Sequence, residues 1–371
     1  MEERVFNFSA GPAQMPVEVL EKAQREMLCY PGAGCSVLEM SHRTEVYRGI
    51  LERASDTLKR LMRVPDDYAI LFLQGGASLQ FSMTVMNLTC RDETAAYAVT
   101  GHFANKAFEE GKRWCSAVKV SDSSEDGFTR IPRVEQVPEK AGFLHITGNN
   151  TIYGTAYRNI EEKLPETVLS REGKPSMIPL VADWSSAILG QEIDVSRYGL
   201  IYAGAQKNLG PAGLTVVIIR KDLLKKEKDP LVPTMLRYDI HEKNGSMYNT
   251  PPTFSIYLAG LMFEWVEKQG GVAEMEKRNR RKSDMLYEMI ENSRLFSSCV
   301  VPEDRSVMNV VFRLPDERTT EEFLSLAKKR GMISLKGHRL TGGLRASLYN
   351  GMPEEGVKKL IDTMKEFELS R

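Results

Sequence analysis

The sequence predicts an α/β protein built on a mixed, mostly parallel seven-stranded sheet with helices on both faces. Short apolar runs bounded by Gly, Pro or polar residues are typical of buried strands. They occupy residues 68–73, 95–100, 117–120, 142–147, 178–182, 200–203 and 214–219. Helical stretches such as 79–88 and 105–112 fit between most of them. Strands that alternate with helices in this way form parallel sheets.

One connection departs from that alternation. Only residues 206–213 separate the last two apolar runs, which is too short for a helical crossover. Those two strands are therefore predicted to pair antiparallel, which makes the sheet mixed.

The pattern changes after about residue 250, where a smaller α+β domain is predicted. It contains helices at 254–268 and 271–292, a strand at 307–313, a helix near 319–329, strands at 332–336 and 344–349, and a final helix from Pro353. Paired prolines stop helices, so Pro251-Pro252 marks a plausible boundary. We assign residues 16–255 to the large domain, and residues 1–15 and 256–371 to the small one.

Composition excludes several classes of function. The chain has 50 Lys+Arg and 50 Asp+Glu in 371 residues, and a formal net charge of zero argues against nucleic acid or anionic lipid as a partner. No apolar run is long enough for a transmembrane helix, and no secretory signal is expected at the N-terminus. Five scattered cysteines without a CxxC pair indicate free thiols, so we expect a cytoplasmic protein. No metal site is predicted.

A lysine stands where a predicted buried strand opens into a Gly/Pro-rich turn. Residues 203–213 read AGAQKNLGPAG, with Lys207 at the centre. Ligands of α/β sheets bind at the carboxyl ends of the strands. Apolar surroundings lower the pKa of a lysine there and leave a nucleophilic amine suited to Schiff-base chemistry. The alternative is a solvated turn lysine with no chemical role.

An acid ends the neighbouring predicted strand. Asp183 follows the apolar run 178–182, and a buried carboxylate is costly without a partner. A protonated pyridine nitrogen is such a partner. The alternative is that Asp183 caps a following helix. If both strands end at one edge of the sheet, Asp183 and Lys207 face the same crevice.

A third segment resembles a phosphate cradle. Residues 73–80 read LQGGASLQ, a strand followed by two glycines, a hydroxyl residue and a helix. Helix N-termini offer free N–H groups to an anion, and Gly75 and Gly76 permit close approach of the backbone. A plain strand–helix turn is the alternative. Cradle, acid and lysine together predict a pyridoxal-phosphate (PLP) site.

At these residues the sequence resembles the phosphoserine aminotransferase family, which belongs to the class V aminotransferases and the fold type I PLP-dependent transferases. The resemblance runs through nearly the whole chain. The segments that carry it are 6–12 (FNFSAGP), 41–43 (SHR), 194–199 (DVSRYG), 204–213 (GAQKNLGPAG), 249–254 (NTPPTF) and 336–339 (KGHR).

The resemblance implies roles for the cofactor site. Lys207 would hold PLP as a Schiff base, and Asp183 would pair with the pyridine nitrogen. The other implied cofactor contacts are Ala77, Ser78, Phe103, Thr151 and Gln206, together with Asn249 and Thr250 from a partner subunit. The last two imply a homodimer with shared active sites. Some members carry Gly-Arg where this chain has Ala77-Ser78, and many carry Trp at the ring-stacking position taken here by Phe103.

Substrates that are anionic at both ends need fixed cations, and arginine binds carboxylate and phosphate through two parallel hydrogen bonds. The resemblance implies that Arg345 binds the α-carboxylate and that Ser9 touches the substrate. It places His42, Arg43, His338 and Arg339 around the distal phosphate or carboxylate. Surface ion pairs are the alternative for an isolated His-Arg pair.

The function expected from the resemblance is reversible transamination between O-phospho-L-serine with 2-oxoglutarate and 3-phosphohydroxypyruvate with L-glutamate, in serine biosynthesis. Freed Lys207 would move the α-proton as general base and acid. Whether the phosphorylated four-carbon acid of pyridoxine synthesis is also a substrate stays open. The alternatives are cysteine desulfuration or glyoxylate transamination on the same fold, and a non-catalytic PLP-binding protein.

Overall fold

The computed structural model describes residues 4–169 and 176–371. The strands in chain order are β1 (Phe6–Asn7), β2 (Tyr68–Leu73), β3 (Thr94–Val99), β4 (Ser116–Asp122), β5 (Ala141–Thr147), β6 (Asn149–Asn150), β7 (Thr155–Ala156), β8 (Leu180–Asp183), β9 (Leu200–Gly204), β10 (Thr215–Arg220), β11 (Asn309–Phe312), β12 (Met332–Ile333) and β13 (Leu344–Ser347). The α-helices are α1 (Val17–Glu26), α2 (Glu45–Leu61), α3 (Gly76–Leu88), α4 (His102–Lys112), α5 (Ile160–Lys163), α6 (Lys221–Leu224), α7 (Tyr238–Lys243), α8 (Thr253–Lys268), α9 (Gly271–Glu291), α10 (Glu317–Lys329) and α11 (Glu354–Leu369).

The largest sheet has seven strands in the order β2-β10-β9-β8-β5-β3-β4. Strand β10 pairs antiparallel with both β2 and β9, whereas the remaining neighbours pair parallel. The predicted mixed seven-stranded sheet and its antiparallel connection are therefore confirmed. Strand β8 begins two residues later than the predicted run 178–182, because Pro179 lacks the N–H that a ladder needs.

Helices cover both faces of this sheet. Along β10, Val216 and Ile218 belong to one hydrophobic core, and Val217 and Ile219 belong to the core on the opposite face. This alternation follows from the two-residue repeat of a strand. A strand buried on both faces has an apolar side chain at every position, which is why these runs stand out in the sequence.

A third core lies among the elements after residue 270. Strands β11 and β13 pair antiparallel, and the rings of Phe296, Phe312 and Phe323 pack edge to face beside them. The N-terminal strand β1 joins this group, because it pairs parallel with β12. Strand β12 is shorter than the predicted 332–336, since Ser334 takes a positive φ of 64° that ends the extended backbone.

Five segments of the candidate site follow the carboxyl ends of parallel strands. Strands β2, β3, β5, β8 and β9 run in the same direction, so the residues after them meet at one edge of the sheet. This edge is where α/β sheets bind ligands. Within residues 4–169 and 176–371, every helix is too short or too polar to pass through a bilayer.

Candidate active site

Lys207 lies in the turn after β9, with its side chain directed at two other strand ends. Its Nζ donates a 2.7 Å hydrogen bond to Thr151 Oγ1 and lies 5.1 Å from the centre of the Phe103 ring. The turn is fixed by its own backbone, because the amides of Leu209 and Gly210 both donate to Ala205 O. Lys207 is thus held in place and is not a freely solvated turn lysine.

Asp183 ends β8, next to β9, and its side chain is buried. Its Oδ1 accepts hydrogen bonds from the Ser185 amide (2.9 Å) and hydroxyl (2.6 Å). Residues 185–190 form turns, so Asp183 does not cap a helix. In the described ranges no donor contacts its Oδ2, which leaves that oxygen available to a ligand.

The two charged groups influence each other. Burial raises the pKa of Asp183, against the effects of Lys207 and the Ser185 hydrogen bonds. Burial lowers the pKa of Lys207 to about 8, Asp183 opposes that change, and the cation of Arg345 adds to it. A lysine with this pKa has a substantial neutral fraction near physiological pH, which favours nucleophilic chemistry.

Arg345 is a partly buried cation that has no counter-ion within residues 4–169 and 176–371. It lies on β13 opposite Val311, and its Nη1 donates to Thr151 O at 3.4 Å. Its Nε is buried and has no hydrogen-bond acceptor in the part of the chain that the structure describes. Burial lowers the pKa of the guanidinium. A desolvated cation without a partner is costly, so this position suits an anionic ligand.

A tight loop carries His338 and Arg339 beside this site. The amides of Thr341 and Gly342 donate to His338 O, and a side chain at Gly337 would collide with Gly342 O at 2.0 Å. The Leu340 amide donates to His338 Nδ1, so the neutral imidazole carries its proton on Nε2. Burial lowers the pKa of His338, and the positive charge of Arg345 lowers it further.

His102, at the start of α4, joins the same region although the sequence analysis did not single it out. Its ring lies 6.3 Å from the ring of His338 and 5.6 Å from that of Phe103. A histidine between Gly101 and Phe103, directly after a buried strand, is the sequence signal that could have identified it.

The proposed cradle is the N-terminus of α3. Gly75 precedes the helix with a φ of 89°, a left-handed conformation that glycine adopts without strain. No side chain of the described residues caps α3, so the first-turn amides of Ala77 and Ser78 are open to an anion. The helix begins three residues before the predicted 79–88. A strand–helix turn with exposed amide donors is compatible with a phosphate cradle. It is equally compatible with a plain turn that binds no ligand.

The N-terminal segment packs against the lysine turn. The Ala13 amide donates to Gln206 O at 2.9 Å, and a Cβ at Gly11 would lie 3.3 Å from the side chains of Gln206 and Lys207. Ser9 is half-buried nearby, where its Oγ accepts from the Gly11 amide. The structure therefore brings Ser9 and Gln206 to the lysine.

His42 and Arg43 lie elsewhere in the single chain. With Asn249 and Thr250 they line a separate open cavity of about 550 Å³. In the described residues, no hydrogen bond or ring contact joins them to the loop of His338. The Gln74 side chain donates to Thr250 O at 3.2 Å, which places this cavity next to the end of β2. Within one chain, the predicted site residues thus form two separate groups. One group surrounds Lys207, and the other lines this cavity.

A buried polar network underlies the site and was not predicted from the sequence. Asn149 Nδ2 donates to Asn309 Oδ1 (2.7 Å), and Asn309 Nδ2 donates to Ser347 Oγ (3.0 Å) and the Tyr349 hydroxyl (3.2 Å). The Tyr349 hydroxyl in turn donates to Ala10 O at 2.9 Å. The network connects the segments that carry Thr151, Arg345 and Ser9. Buried asparagines have no local sequence pattern that would reveal such partners.

Comparison with known proteins yields consistent matches. The family described as Aminotransferase class-V matches residues 5–360. A phosphoserine aminotransferase of Bacillus cereus is 50% identical over 369 residues, covering 99% of both chains. The solved phosphoserine aminotransferase of Bacillus circulans subsp. alkalophilus is 42% identical, with a TM-score of 0.94 and complete coverage of both chains. The PLP-bound phosphoserine aminotransferase of Trichomonas vaginalis is 36% identical, with a TM-score of 0.88 over 98% of this chain and 100% of that one.

Proposed function

The chain belongs to the class-V aminotransferase family, and from this premise we propose that it is a PLP-dependent phosphoserine aminotransferase. The proposed reaction exchanges an amino group between O-phospho-L-serine with 2-oxoglutarate and 3-phosphohydroxypyruvate with L-glutamate. The observation that carries the proposal is the convergence of Lys207, Thr151 and Arg345, a Schiff-base candidate beside a partly buried cation that has no counter-ion among the described residues. The relatives named phosphoserine aminotransferase support the substrate.

The residues at the sheet edge fit PLP. Asp183 Oδ2, which accepts no hydrogen bond from the described residues, suits the pyridine N–H, Phe103 offers a ring face, and the open amides of Ala77 and Ser78 suit the phosphate. Gln206 and Thr151 flank Lys207. When bound, PLP supplies an electron sink that stabilises negative charge at the substrate α-carbon.

Lys207 is the proposed proton carrier. With PLP bound, the free Nζ amine of Lys207 would remove the α-proton of the amino donor as general base, and the resulting ammonium would give that proton back as general acid. A pKa lowered to about 8 lets the same group act in both directions near neutral pH. Thr151 Oγ1, which accepts from Nζ, holds the amine in reach of its target.

Arg345 is the proposed partner of the α-carboxylate, because its Nε lacks an acceptor and its guanidinium is partly desolvated. His338 and Arg339 are proposed to bind the distal phosphate or carboxylate, and Ser9 to contact the substrate. The loop geometry supports this, since His338 lies close enough to Arg345 for the guanidinium to lower its pKa.

We also propose a homodimer in which each subunit completes the site of the other. Asn249, Thr250, His42 and Arg43 line one exposed cavity, which suits a surface that faces a partner. Asn249 and Thr250 would reach the cofactor phosphate of the partner, and His42 and Arg43 the distal substrate anion. This arrangement accounts for the separation of the two groups in a single chain.

A cytoplasmic location and the division into residues 16–255 and the remainder are further parts of the proposal. All five cysteines are unpaired, which supports a reducing compartment. The pairing of β1 with β12 supports grouping the N-terminus with the C-terminal elements.

The test is an absorbance titration of the PLP-loaded enzyme with phosphoserine, glutamate, alanine and cysteine. Phosphoserine and glutamate are expected to convert the lysine-bound cofactor to the amino form, and Lys207→Ala to abolish turnover. Conversion by alanine or cysteine in preference to phosphoserine would favour glyoxylate transamination or desulfuration instead. Bound cofactor that no amino acid converts would indicate a non-catalytic protein.

A further inference from the structure

We propose that His102 and Lys106, on helix α4, belong to the distal anion site and favour a phosphate over a carboxylate at that end of the substrate. The inference deepens the proposed function and rests on it. It adds His102 and Lys106 to the proposed anion-binding residues His338 and Arg339. It also predicts that binding of phosphoserine depends on the two added residues more than binding of glutamate does.

Contacts on a single aromatic ring place Lys106 at the site. Lys106 Nζ lies 5.9 Å from the centre of the Phe103 ring, and Lys207 Nζ lies 5.1 Å from the same centre. Both ammonium groups therefore lie beside one aromatic ring, which puts Lys106 close to the lysine proposed to carry the cofactor. Lys106 is exposed, so its flexible stem can bring the charge toward a bound anion.

His102 and Lys106 share one face of α4, because residues four apart on a helix lie one turn above each other. His102 occupies the first turn, where the positive end of the helix dipole also favours an anion. Its ring faces His338 at 6.3 Å, so the helix and the loop meet there.

The four basic groups lie near one another, and among the described residues no acid shifts the pKa of the two histidines. Besides burial, Lys106, His338 and Arg339 all lower the pKa of His102. Burial, Arg345, Arg339 and Lys106 lower that of His338. Across the described ranges, neither Lys106 nor Arg339 has a salt bridge, whereas Lys112 on the same helix pairs with Glu109 at 3.1 Å. The two permanent cations of this group, Lys106 and Arg339, repel each other, and a multiply charged anion relieves that repulsion.

The charge of the distal group determines how strongly the binding of each substrate depends on His102 and Lys106. A phosphate monoester carries about −1.5 to −2 charges near pH 7 and three acceptor oxygens. The distal carboxylate of glutamate carries one charge and has two oxygens. An added cation therefore stabilises bound phosphoserine more than bound glutamate. Two further donors also suit the larger number of phosphate oxygens.

The variants are Lys106→Gln, His102→Asn and the double variant, with Lys112→Gln as a matched control on the same helix. Dissociation constants for phosphoserine, glutamate and serine are measured from the cofactor absorbance. Calorimetry with 3-phosphoglycerate, which has no amino group, measures binding without turnover. For Lys106→Gln we expect phosphoserine and 3-phosphoglycerate to bind about three- to tenfold more weakly, glutamate about twofold, and serine unchanged.

Added salt should weaken phosphoserine binding more in the wild type than in the double variant, because screening removes an attraction that the variant lacks. Equal losses for phosphoserine and serine, or binding that matches Lys112→Gln, would overturn the assignment of α4. If the wild type converts glutamate but not phosphoserine, the proposed function fails as well. A wild type that converts phosphoserine, combined with unaffected variants, would refute the assignment of α4 alone.

Discussion

Lys207 and Arg345 both donate hydrogen bonds to Thr151, the lysine to its hydroxyl at 2.7 Å and the arginine to its main-chain oxygen at 3.4 Å. One residue thus connects the amine proposed to carry the cofactor with the cation proposed to bind the α-carboxylate. The two contacts use different atoms of Thr151, so a side-chain substitution separates them.

Thr151→Val is expected to lower kcat about tenfold while changing KM for glutamate less than about twofold, because it removes the acceptor of Lys207 and keeps the carbonyl that faces Arg345. Thr151→Ser restores the hydroxyl and should recover most of kcat. Steady-state kinetics of the three proteins provide the measurement. A rise in KM with unchanged kcat in the valine variant would contradict this division of roles.

The pH dependence of cofactor attachment should report the pKa of Lys207. The neutral amine is the nucleophile, so the rate of PLP attachment to cofactor-free enzyme should increase as pH rises through about 8, well below the ordinary lysine value of 10.5. The Asp183 carboxylate stabilises the ammonium and the Arg345 cation destabilises it. Asp183→Asn should therefore move the midpoint below that of the wild type, and Arg345→Ala should move it above. The rate of absorbance change at saturating PLP measures all three, and midpoints that shift in the same direction would refute the assignment.

Asn309→Leu tests the buried network. The substitution leaves Asn149, Ser347 and Tyr349 without their shared partner, so the free energy of unfolding should fall by about 2–4 kcal/mol. Ser347 and Arg345 lie on the same strand, so KM for both amino donors should rise as well. Urea unfolding and kinetics measure the two effects. Asn292→Ala, which removes a single exposed bond to Glu288 O, is the control and should cost less than about 0.5 kcal/mol.

The sheet was predictable because strands buried on both faces have apolar side chains at successive positions, as in β10. The antiparallel pairing of β9 and β10 followed from the short connection between them. By contrast, the pairing of β1 with β12 joins two-residue strands from opposite ends of the chain. No local pattern predicts such a pair, because tertiary packing and not strand propensity determines it.

The same distinction holds for the site. Lys207 and Asp183 could be predicted because each is a charged residue at the end of an apolar run. A charged side chain at such a position has few purely structural roles, so a functional role is the better explanation. Asn309 could not be predicted, because its role depends on Asn149, and the approach of His102 to His338 was hidden for the same reason, since both partners lie far away in the sequence. The separate cavity of His42 and Thr250 was also hidden, since it joins residues that lie far apart in the sequence.

Mixing two inactive variants tests the proposed sharing of active sites between subunits. Lys207→Ala lacks the amine, and Arg43→Glu introduces an anion where the partner's substrate would bind. In a mixed dimer, the site that retains Lys207 receives Arg43 from the Lys207→Ala subunit and is therefore intact. Co-expression in equal amounts gives half mixed dimers with one intact site each, or about one quarter of wild-type activity, by the statistics of a twofold assembly. Each variant expressed alone should stay near background. If Arg43 acts within its own chain, the mixed dimer has no intact site, and the mixture would show no more activity than the two variants measured separately.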